Sequence, residues 1–201
     1  ALPICSLAAE IKQMRLCNCD LIETFLPVNT FDEVLEHLKG KCKMNLDRSI
    51  GIIEPVMKMV RRHGMEDQIL MKSDPSEQSL KLIEAYAPDI DYMPIFMEED
   101  HASEKIEKMK IHYAGAELVF KTEQSPIVQE AYLEEQKKKG RVLWGNAILY
   151  SSRVPLAGGH SDDISLLEDP AQGWGWLAQK GFDIIQTDWA MHCVNYLREN
   201  N

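Results

Sequence analysis

Charged and polar side chains close several apolar runs of the sequence, where strand ends would bring them together. Asp47 and Lys72 each follow a short apolar run, and Trp144 and Asn146 lie two residues apart in a third. Side chains alternate along a strand, so Trp144 and Asn146 share one face. A carboxylate, a lysine, an aromatic ring and an amide at one mouth would suit a metal-bound anion with a small polar body.

Other polar residues at predicted strand ends have simpler interpretations. Asp188 precedes the last predicted helix and is favoured as its N-cap. Trp144 is also compatible with a side chain that fills the interior of the fold. Asp47 and Lys72 are harder to explain structurally, because a charge that ends an apolar strand is costly there. The remaining residues of this kind favour solvated positions: Glu98, Glu99, Asp100, Lys121 and Glu123.

One histidine lies in a segment that suits a site. His160 belongs to Gly-Gly-His-Ser-Asp-Asp, within an insertion predicted over 149–169. This insertion follows the fifth predicted strand, on the side of the fold where the predicted site lies. Such loops often carry function, so a lid or site role for His160 stays open beside the favoured interpretation as a polar loop. The five cysteines include no CxxC pair, which favours buried or idle thiols over a metal site at Cys17, Cys19 and Cys42.

Strand–helix units position these residues. Apolar runs predict strands at 43–47, 68–72, 91–97, 116–121, 141–147 and 182–188, with amphipathic helices between them. The first five runs recur roughly every 25 residues, and strands joined by helices in this way are parallel with right-handed crossovers. The regular pitch favours a (β/α) TIM-type barrel, whose site lies at the carboxyl ends of the strands. Pro94 is unfavourable within a central strand.

A complete barrel of this type has eight units, and the sequence supplies six. The stretch 7–38 is predicted to be helical, with a capping box at Thr30 and Glu33. We therefore expect residues 1–201 to form a single domain, the C-terminal three quarters of a (β/α)8 barrel. Its first and last strands should flank a gap. Apolar surface is expected there, either exposed or covered by the segment 2–14 or by a partner chain.

Composition limits the functions that suit the chain. The 201 residues carry a formal net charge of −10, which repels phosphate backbones and argues against nucleic acid as a partner. A protein of this charge that acts on an anionic substrate would need a metal ion to reverse the local field. No apolar run is long enough for a membrane span.

Four segments resemble glycerophosphodiester phosphodiesterases. Leu26-Pro-Val-Asn-Thr-Phe-Asp-Glu-Val-Leu35 is similar to the family's "IPTLEEVL", and Lys43-Met-Asn-Leu-Asp47 is similar to its next strand, "LNIEIK". Val142-Leu-Trp-Gly-Asn146 resembles "VWTVN", and Gly181-Phe-Asp-Ile-Ile-Gln-Thr-Asp188 resembles "GVDGIITD". The segments keep the family's order, and the resemblance covers 21–197.

The resemblance implies a phospholipase-C-like phosphodiesterase barrel that hydrolyses glycerophosphodiesters to an alcohol and glycerol 3-phosphate. The family holds a divalent metal, calcium or magnesium, on three carboxylates, of which Asp47 matches one. Trp144 and Asn146 match the substrate-side strand. The family's lysine after that carboxylate falls on Ser49, and we expect Lys72 to supply the positive charge for the substrate instead.

The family's two catalytic histidines and its other two carboxylates match no residue of the chain, because their motifs precede the region of resemblance. We therefore expect the 201 residues alone to be inactive. Two other classes stay open: a barrel enzyme of unrelated chemistry, with a phosphate near Trp144 and Thr187, and a non-catalytic binding or scaffold protein that keeps the barrel. The predicted partner is a small-molecule glycerophosphodiester.

Overall fold

Two short helices and a hairpin form the N-terminal part. The computed structural model describes residues 8–149 and 154–200. Its first elements are α1 (Ala8–Ile11), the antiparallel strands β1 (Arg15–Cys17) and β2 (Glu23–Pro27), and α2 (Phe31–Leu38). The capping box predicted for α2 is present, because Thr30 Oγ1 accepts from Glu33 N and Glu33 Oε2 accepts from Thr30 N.

The helical prediction for 7–38 is wrong where the hairpin lies. Asn18 Oδ1 accepts hydrogen bonds from the backbone N–H groups of Asp20 and Ile22, at 3.0 and 2.9 Å. Leu21 adopts a left-handed φ of 63° between them. These bonds close a tight turn, which reverses the chain and pairs β1 with β2.

Six parallel strands form the main sheet, and their order in space follows their order in the sequence. They curl into a half-barrel, which confirms the predicted α/β fold, a (β/α) TIM-type barrel with six of eight units. The first and last strands are the two edges of this sheet, as expected for strands that flank a gap. The strands are β3 (Met44–Leu46), β4 (Ile69–Ser73), β5 (Asp91–Met97), β6 (Gly115–Val119), β7 (Val142–Asn146) and β8 (Ile184–Gln186).

Helices pack against the sheet and complete its apolar core. They are α3 (Ile53–His63), α4 (Glu77–Tyr86), α5 (Ser103–Ile106), α6 (Glu130–Lys138), α7 (Asp162–Leu167), α8 (Trp174–Lys180) and α9 (Ala190–Asn200). On α3 the apolar stripe that includes Ile53, Met57 and Val60 is buried, and the helix ends at Gly64 with a left-handed φ of 60°. Within 8–149 and 154–200, no helix is both long and apolar enough to cross a bilayer.

An extra residue at β6 decides which of its side chains face the inside of the half-barrel. Tyr92 pairs with Tyr113, whereas Ile95 pairs with Glu117, so three steps along β5 correspond to four along the next strand. Pro94 lies between the two pairings, where a missing backbone N–H is tolerated. Because side chains alternate along a strand, the extra residue turns Glu117 inward and leaves its neighbour in the apolar core.

Part of the predicted insertion 149–169 lies over the carboxyl end of β6. Phe120 N donates to Leu156 O at 3.0 Å, and Gly158 N donates to Phe120 O at 2.9 Å. Leu156 thereby reaches the inner side of the half-barrel. Residues 150–153 of this insertion lie outside the described part of the chain.

Candidate functional site

A cavity of about 500 Å³ opens at the carboxyl ends of the strands, on the inner side of the half-barrel. Every strand from β3 to β8 contributes to its wall, either directly or through the residues that follow it. Three of the predicted site residues, Asp47, Lys72 and Asn146, lie around this one cavity. Its polar lining consists of Asn45, Asp47, Arg48, Lys72, Ser73, Asp74, Glu117, Asn146 and Gln186.

Lys72 is the centre of a buried polar network in the cavity wall. Its Nζ donates to Glu117 Oε2 at 2.6 Å and lies 3.8 Å from the centroid of the Trp144 ring. Asn146 Nδ2 donates to Glu117 Oε1 at 2.8 Å, and Trp144 Nε1 donates to Gln186 Oε1 at 3.2 Å. The network therefore joins β4, β6, β7 and β8 and includes three of the predicted residues.

The two charged side chains of this network are buried. The side chain of Lys72 is 4% exposed and that of Glu117 is 9% exposed. Burial of a charge is unfavourable unless the group is paired and hydrogen-bonded, which both groups are here. A buried ion pair in the wall of a cavity is a candidate functional feature, because apolar side chains in its place often stabilise a fold equally well.

Glu117 is the residue of this site that the sequence did not reveal as functional. It lies inside the apolar strand β6 rather than after a strand end, and its inward orientation depends on the extra residue described above. The sequence feature that could have indicated it is a carboxylate between two apolar residues, Ala116 and Leu118. Gln186 was missed for a similar reason, since it lies before the end of the last predicted strand.

Asp47 lies at the exposed rim of the cavity. Its side chain is 60% exposed, and its Oδ2 is 3.9 Å from the Nε atom of Arg48. Arg48 has a left-handed φ of 52°, an uncommon conformation for a residue with a side chain. The carboxylate bonded to Lys72 is thus Glu117, and Asp47 contributes a separate negative charge to the same cavity.

The described residues do not by themselves complete a metal site. Within 8–149 and 154–200, no group of three or more His, Cys, Asp or Glu side chains is arranged to hold an ion. Calcium takes about six to eight oxygen ligands, and Asp47 offers one carboxylate. Glu117 is already bonded to Lys72 and Asn146. Calcium or magnesium at Asp47 therefore stays a prediction.

Ser73 and Asp74 complete the cavity wall after β4. Ser73 Oγ is 3.0 Å from the Tyr92 hydroxyl, and burial raises the pKa of Tyr92 to about 12. This phenol is therefore a neutral group at physiological pH. Hydrogen bonds from Ser76 lower the pKa of the Asp74 carboxyl, which keeps a negative charge at the rim.

Polar residues at other strand ends make structural contacts. Glu98 has a left-handed φ of 65°, and its carboxylate accepts from Lys121 N at 2.9 Å and from Ser125 Oγ at 3.1 Å. These bonds tie the end of β5 to the loop after β6. They explain the unusual backbone conformation without a role in chemistry.

The buried carboxylate of Asp162 fixes the loop after β8. It accepts from Trp174 Nε1 at 2.7 Å, from Thr187 Oγ1 at 2.6 Å and from Asp188 N at 2.9 Å. Trp189 N, just before α9, donates to Thr187 Oγ1 at 2.9 Å. The hydroxyl of Thr187, rather than the carboxylate of Asp188, thus supplies the side-chain bond at this helix start.

His160 holds the insertion against the body of the fold. Its ring stacks on Trp176, with centroids 3.7 Å apart. Nδ1 bonds to Gln172 O, and Nε2 bonds to Glu123 Oε1 at 3.1 Å. Both ring nitrogens are engaged, and His160 does not belong to the lining of the cavity described above. These contacts support a structural role for His160.

Three of the described cysteines lie outside the core, and a fourth lies within it. Cys17, Cys19 and Cys42 are free and exposed, whereas Cys193 is free and buried. Burial raises the pKa of the Cys193 thiol to about 11, so it remains protonated. This agrees with the interpretation of these residues as idle or buried thiols.

One protein-family model matches the chain. It is described as a domain of unknown function, and it matches residues 92–197, which is just over half of the sequence. The matched region includes Glu117, Trp144 and Asn146, and it begins after Asp47 and Lys72. No curated protein sequence is significantly similar to the chain.

Solved structures of glycerophosphodiester phosphodiesterases share the fold. One from Parabacteroides distasonis has a TM-score of 0.75 and 16% identity, over 96% of this chain and 63% of that one. A second from the same organism gives 0.62 and 14%, over 96% and 71%. One from Agrobacterium tumefaciens gives 0.61 and 18%, over 94% and 71%. The chain thus spans less than two thirds of the first structure, and at these identities the likeness establishes the fold.

Proposed function

The chain belongs to the DUF4996 family, whose description assigns no activity, and from its site we propose a function in phosphodiester hydrolysis. The protein acts as a metal-dependent phosphodiesterase that converts glycerophosphodiesters to an alcohol and glycerol 3-phosphate. The 201 residues supply the part of the site that binds the substrate. Because the chain spans 63% of the first related structure, hydrolysis is proposed for the whole protein.

One observation carries this proposal. Lys72 and Asn146 line one cavity at the carboxyl ends of the strands and are both bonded to Glu117. Trp144 does not belong to the lining, and its ring contacts the ammonium of Lys72. The fold is the one that solved glycerophosphodiester phosphodiesterases have, and sites in such barrels lie at this end. A buried cation beside a side-chain amide suits an anionic group with a polar body.

Each residue has a definite role in this proposal. The Lys72 ammonium has three N–H donors, of which one bonds to Glu117, so another is available to a phosphate oxygen. The ring face of Trp144 contacts the ammonium and stabilises its charge. Asn146 faces the same cavity and offers its amide oxygen to a hydroxyl of the glycerol moiety.

The charge of the cavity supports metal dependence. Its ionisable lining consists of two positive and three negative side chains, which leave one net negative charge: Arg48, Lys72, Asp47, Asp74 and Glu117. A phosphodiester anion would be repelled weakly by this lining, and one divalent cation would reverse its sign. Asp47 is the residue of this chain that we propose as a ligand of that cation.

A second candidate is a non-catalytic binding protein that retains the barrel. It is favoured by one observation: the described residues bring no three metal-binding side chains together. This candidate shares the ligand and the network of Lys72 with the first. The two differ in whether the whole protein releases glycerol 3-phosphate.

Calorimetric titration of the 201-residue chain with glycerophosphocholine tests the proposed site, with and without added calcium or magnesium. We expect saturable binding that Lys72→Met weakens by about tenfold or more, because a charge-assisted bond to the phosphate is lost. Trp144→Leu should weaken binding as well. Lys81→Met removes an exposed lysine on α4 and serves as the matched control.

Circular dichroism of each variant establishes that it is folded before it is titrated. Absence of binding to the folded wild-type chain, with or without metal, would contradict the proposal. Equal binding by the wild type and by folded Lys72→Met would place the ligand elsewhere.

A further inference from the structure

We infer that Glu117 is a specificity-determining residue that makes the cavity accept a phosphodiester monoanion and disfavour a phosphomonoester dianion. The inference rests on the proposed function, since it concerns the phosphate that Lys72 binds. Among the described residues that line the cavity, Glu117 is the buried carboxylate. A product such as glycerol 3-phosphate carries a second negative charge, and repulsion by Glu117 would favour its release.

Glu117 lies directly beside the ammonium of Lys72 in the cavity wall. Its carboxylate lies in the cavity wall and is bonded through Oε2 to Lys72 Nζ at 2.6 Å and through Oε1 to Asn146 Nδ2 at 2.8 Å. Any phosphate that contacts the lysine must therefore lie close to this carboxylate. The same two bonds fix the ammonium and the amide in one arrangement.

The burial of this pair is not explained by stability. Replacement of a buried ion pair by apolar side chains of similar size is often neutral or stabilising. The half-barrel has apolar residues beside the pair, such as Ile95 and Val119, so an apolar wall would fit the fold. A charged pair retained at the cavity therefore points to a ligand whose charge matters.

The charge of the ligand is what Glu117 can discriminate. A phosphodiester carries one negative charge at neutral pH, so it adds one charge to an ammonium that is already paired with Glu117. A phosphomonoester has a second pKa near 6 and becomes a dianion above it. Its second charge would lie beside the Glu117 carboxylate in a poorly solvated wall, where like charges repel strongly.

Other charged groups around the cavity do not replace this effect. Asp47 and Arg48 lie together at the rim after β3, 3.9 Å apart, and largely offset one another. Asp74 lies at the rim after β4, bonded to Ser76 and Ser79. Among the described residues that line the cavity, Glu117 is the carboxylate in direct contact with Lys72.

Binding of glycerophosphocholine and of glycerol 3-phosphate to the 201-residue chain tests the inference, by calorimetry between pH 5 and pH 8, with and without added calcium. The wild type should prefer the diester by roughly tenfold or more at pH 8. Its affinity for the monoester should fall as pH rises through about 6. In Glu117→Gln, which keeps the size of the side chain, the monoester should bind at least as well as the diester, and the fall with pH should vanish.

A second variant keeps the test decisive if Glu117→Gln does not fold. Lys72→Met/Glu117→Leu removes both charges, and any remaining affinity should be equal for the two ligands. Glu134→Gln removes an exposed charge on α6 and should leave the preference unchanged.

The outcomes separate the inference from the proposed function. A wild-type preference that persists in Glu117→Gln or in the double variant would overturn the role of Glu117 while leaving the phosphodiester site intact. Equal affinity of the wild type for both ligands would overturn it too. Absence of binding of either ligand to the wild type would overturn the proposed function itself.

Discussion

Lys72 and Glu117 form an ion pair in which both side chains are buried. Without its partner, each would be an unpaired charge that is almost completely buried. Both also contact β7, Lys72 through the Trp144 ring and Glu117 through a hydrogen bond from Asn146. Loss of one partner from such a pair costs about 3–5 kcal/mol, whereas joint replacement by apolar residues is often neutral. Stability measurements can therefore separate the pair from its individual members.

We expect Lys72→Met to lower the free energy of unfolding by about 3–5 kcal/mol, because the Glu117 carboxylate remains buried without its cation. The double variant Lys72→Met/Glu117→Leu should regain most of this loss. Urea unfolding followed by circular dichroism measures both. The exposed pair of Lys81 and Glu77 is the control, and Lys81→Met should change stability by less than about 0.5 kcal/mol. A single variant as stable as the wild type would show that the pair is not buried as described.

The sequence predicted part of this site for a clear physical reason. A charge that closes an apolar run indicates the carboxyl end of a strand, which made Asp47 and Lys72 recognisable, although Lys72 is the penultimate residue of β4. Glu117 was not, because its orientation follows from the pairing of Ile95 with Glu117 after one extra residue. Register within a sheet is set by contacts between strands, which the pattern of a single strand does not contain.

At the scale of elements, β6 and β7 lie so close at Gly115 that only glycine fits. A Cβ atom there would lie 2.1 Å from the carbonyl oxygen of Val142, which belongs to the neighbouring backbone and cannot rotate away. The spacing of these two strands sets the bond between Glu117 and Asn146. A side chain at this position would therefore disturb both the fold and the site.

Gly115→Ala should destabilise the protein by about 1–3 kcal/mol through steric overlap, and it should weaken glycerophosphocholine binding in the fraction that remains folded. Thermal unfolding and calorimetric titration measure the two effects. Gly51→Ala is the matched control, because a Cβ there meets no atom within 4 Å and its φ is not left-handed. Equal stability of the two variants would contradict the close approach of β6 to β7.

Helices α2 and α3 are joined by a pH-dependent contact. Asp32 accepts from His63 at 2.7 Å and is also bonded to Arg62, and these partners lower the pKa of the Asp32 carboxyl below its ordinary value of 3.8. A group with a lowered folded-state pKa stabilises the protein above its ordinary pKa. The contribution is lost as pH falls through the lowered value.

Asp32→Asn should therefore melt at a lower temperature than the wild type at pH 5. The difference should shrink as pH falls below about 3.8 and disappear once pH lies below the lowered pKa of Asp32. Thermal scans between pH 6 and pH 2 measure this difference. Asp67→Asn, in the turn after α3, is the control and should follow the wild type throughout. A difference that grows on acidification would contradict the assigned direction.

The order of the strands was predictable because it is a consequence of spacing. Runs about 25 residues apart leave room for one helix between strands, and such connections make neighbouring strands parallel. The hairpin of β1 and β2 was not predictable in the same way. Its side chains, such as Phe25 at 88% exposed, bury little surface, and its turn depends on the local bonds of Asn18.

At the scale of the whole molecule, the half-barrel has a cavity at the carboxyl ends of its strands, without a complete set of metal ligands among the described residues. Asp47 and Asp74 are the carboxylates at its rim, and the buried carboxylate of Glu117 is bonded to Lys72. His160 is bonded through both ring nitrogens away from the lining of this cavity. We therefore expect this chain to bind the proposed substrate without hydrolysing it.

We expect the 201-residue chain to bind glycerophosphocholine and to release no measurable glycerol 3-phosphate, with or without calcium or magnesium. A hard cation needs several oxygen ligands, and one carboxylate cannot hold it in place of water. A general acid or base raises the reaction rate by about 10²–10⁴-fold. No histidine of the chain matches the two catalytic histidines of glycerophosphodiester phosphodiesterases. An enzyme-coupled assay for glycerol 3-phosphate, with a solved phosphodiesterase of this fold as the positive control, measures release. Metal-dependent release by the chain, lost in Asp47→Ala and retained in Asp67→Asn, would contradict this prediction and would mean that residues of this chain complete the metal site.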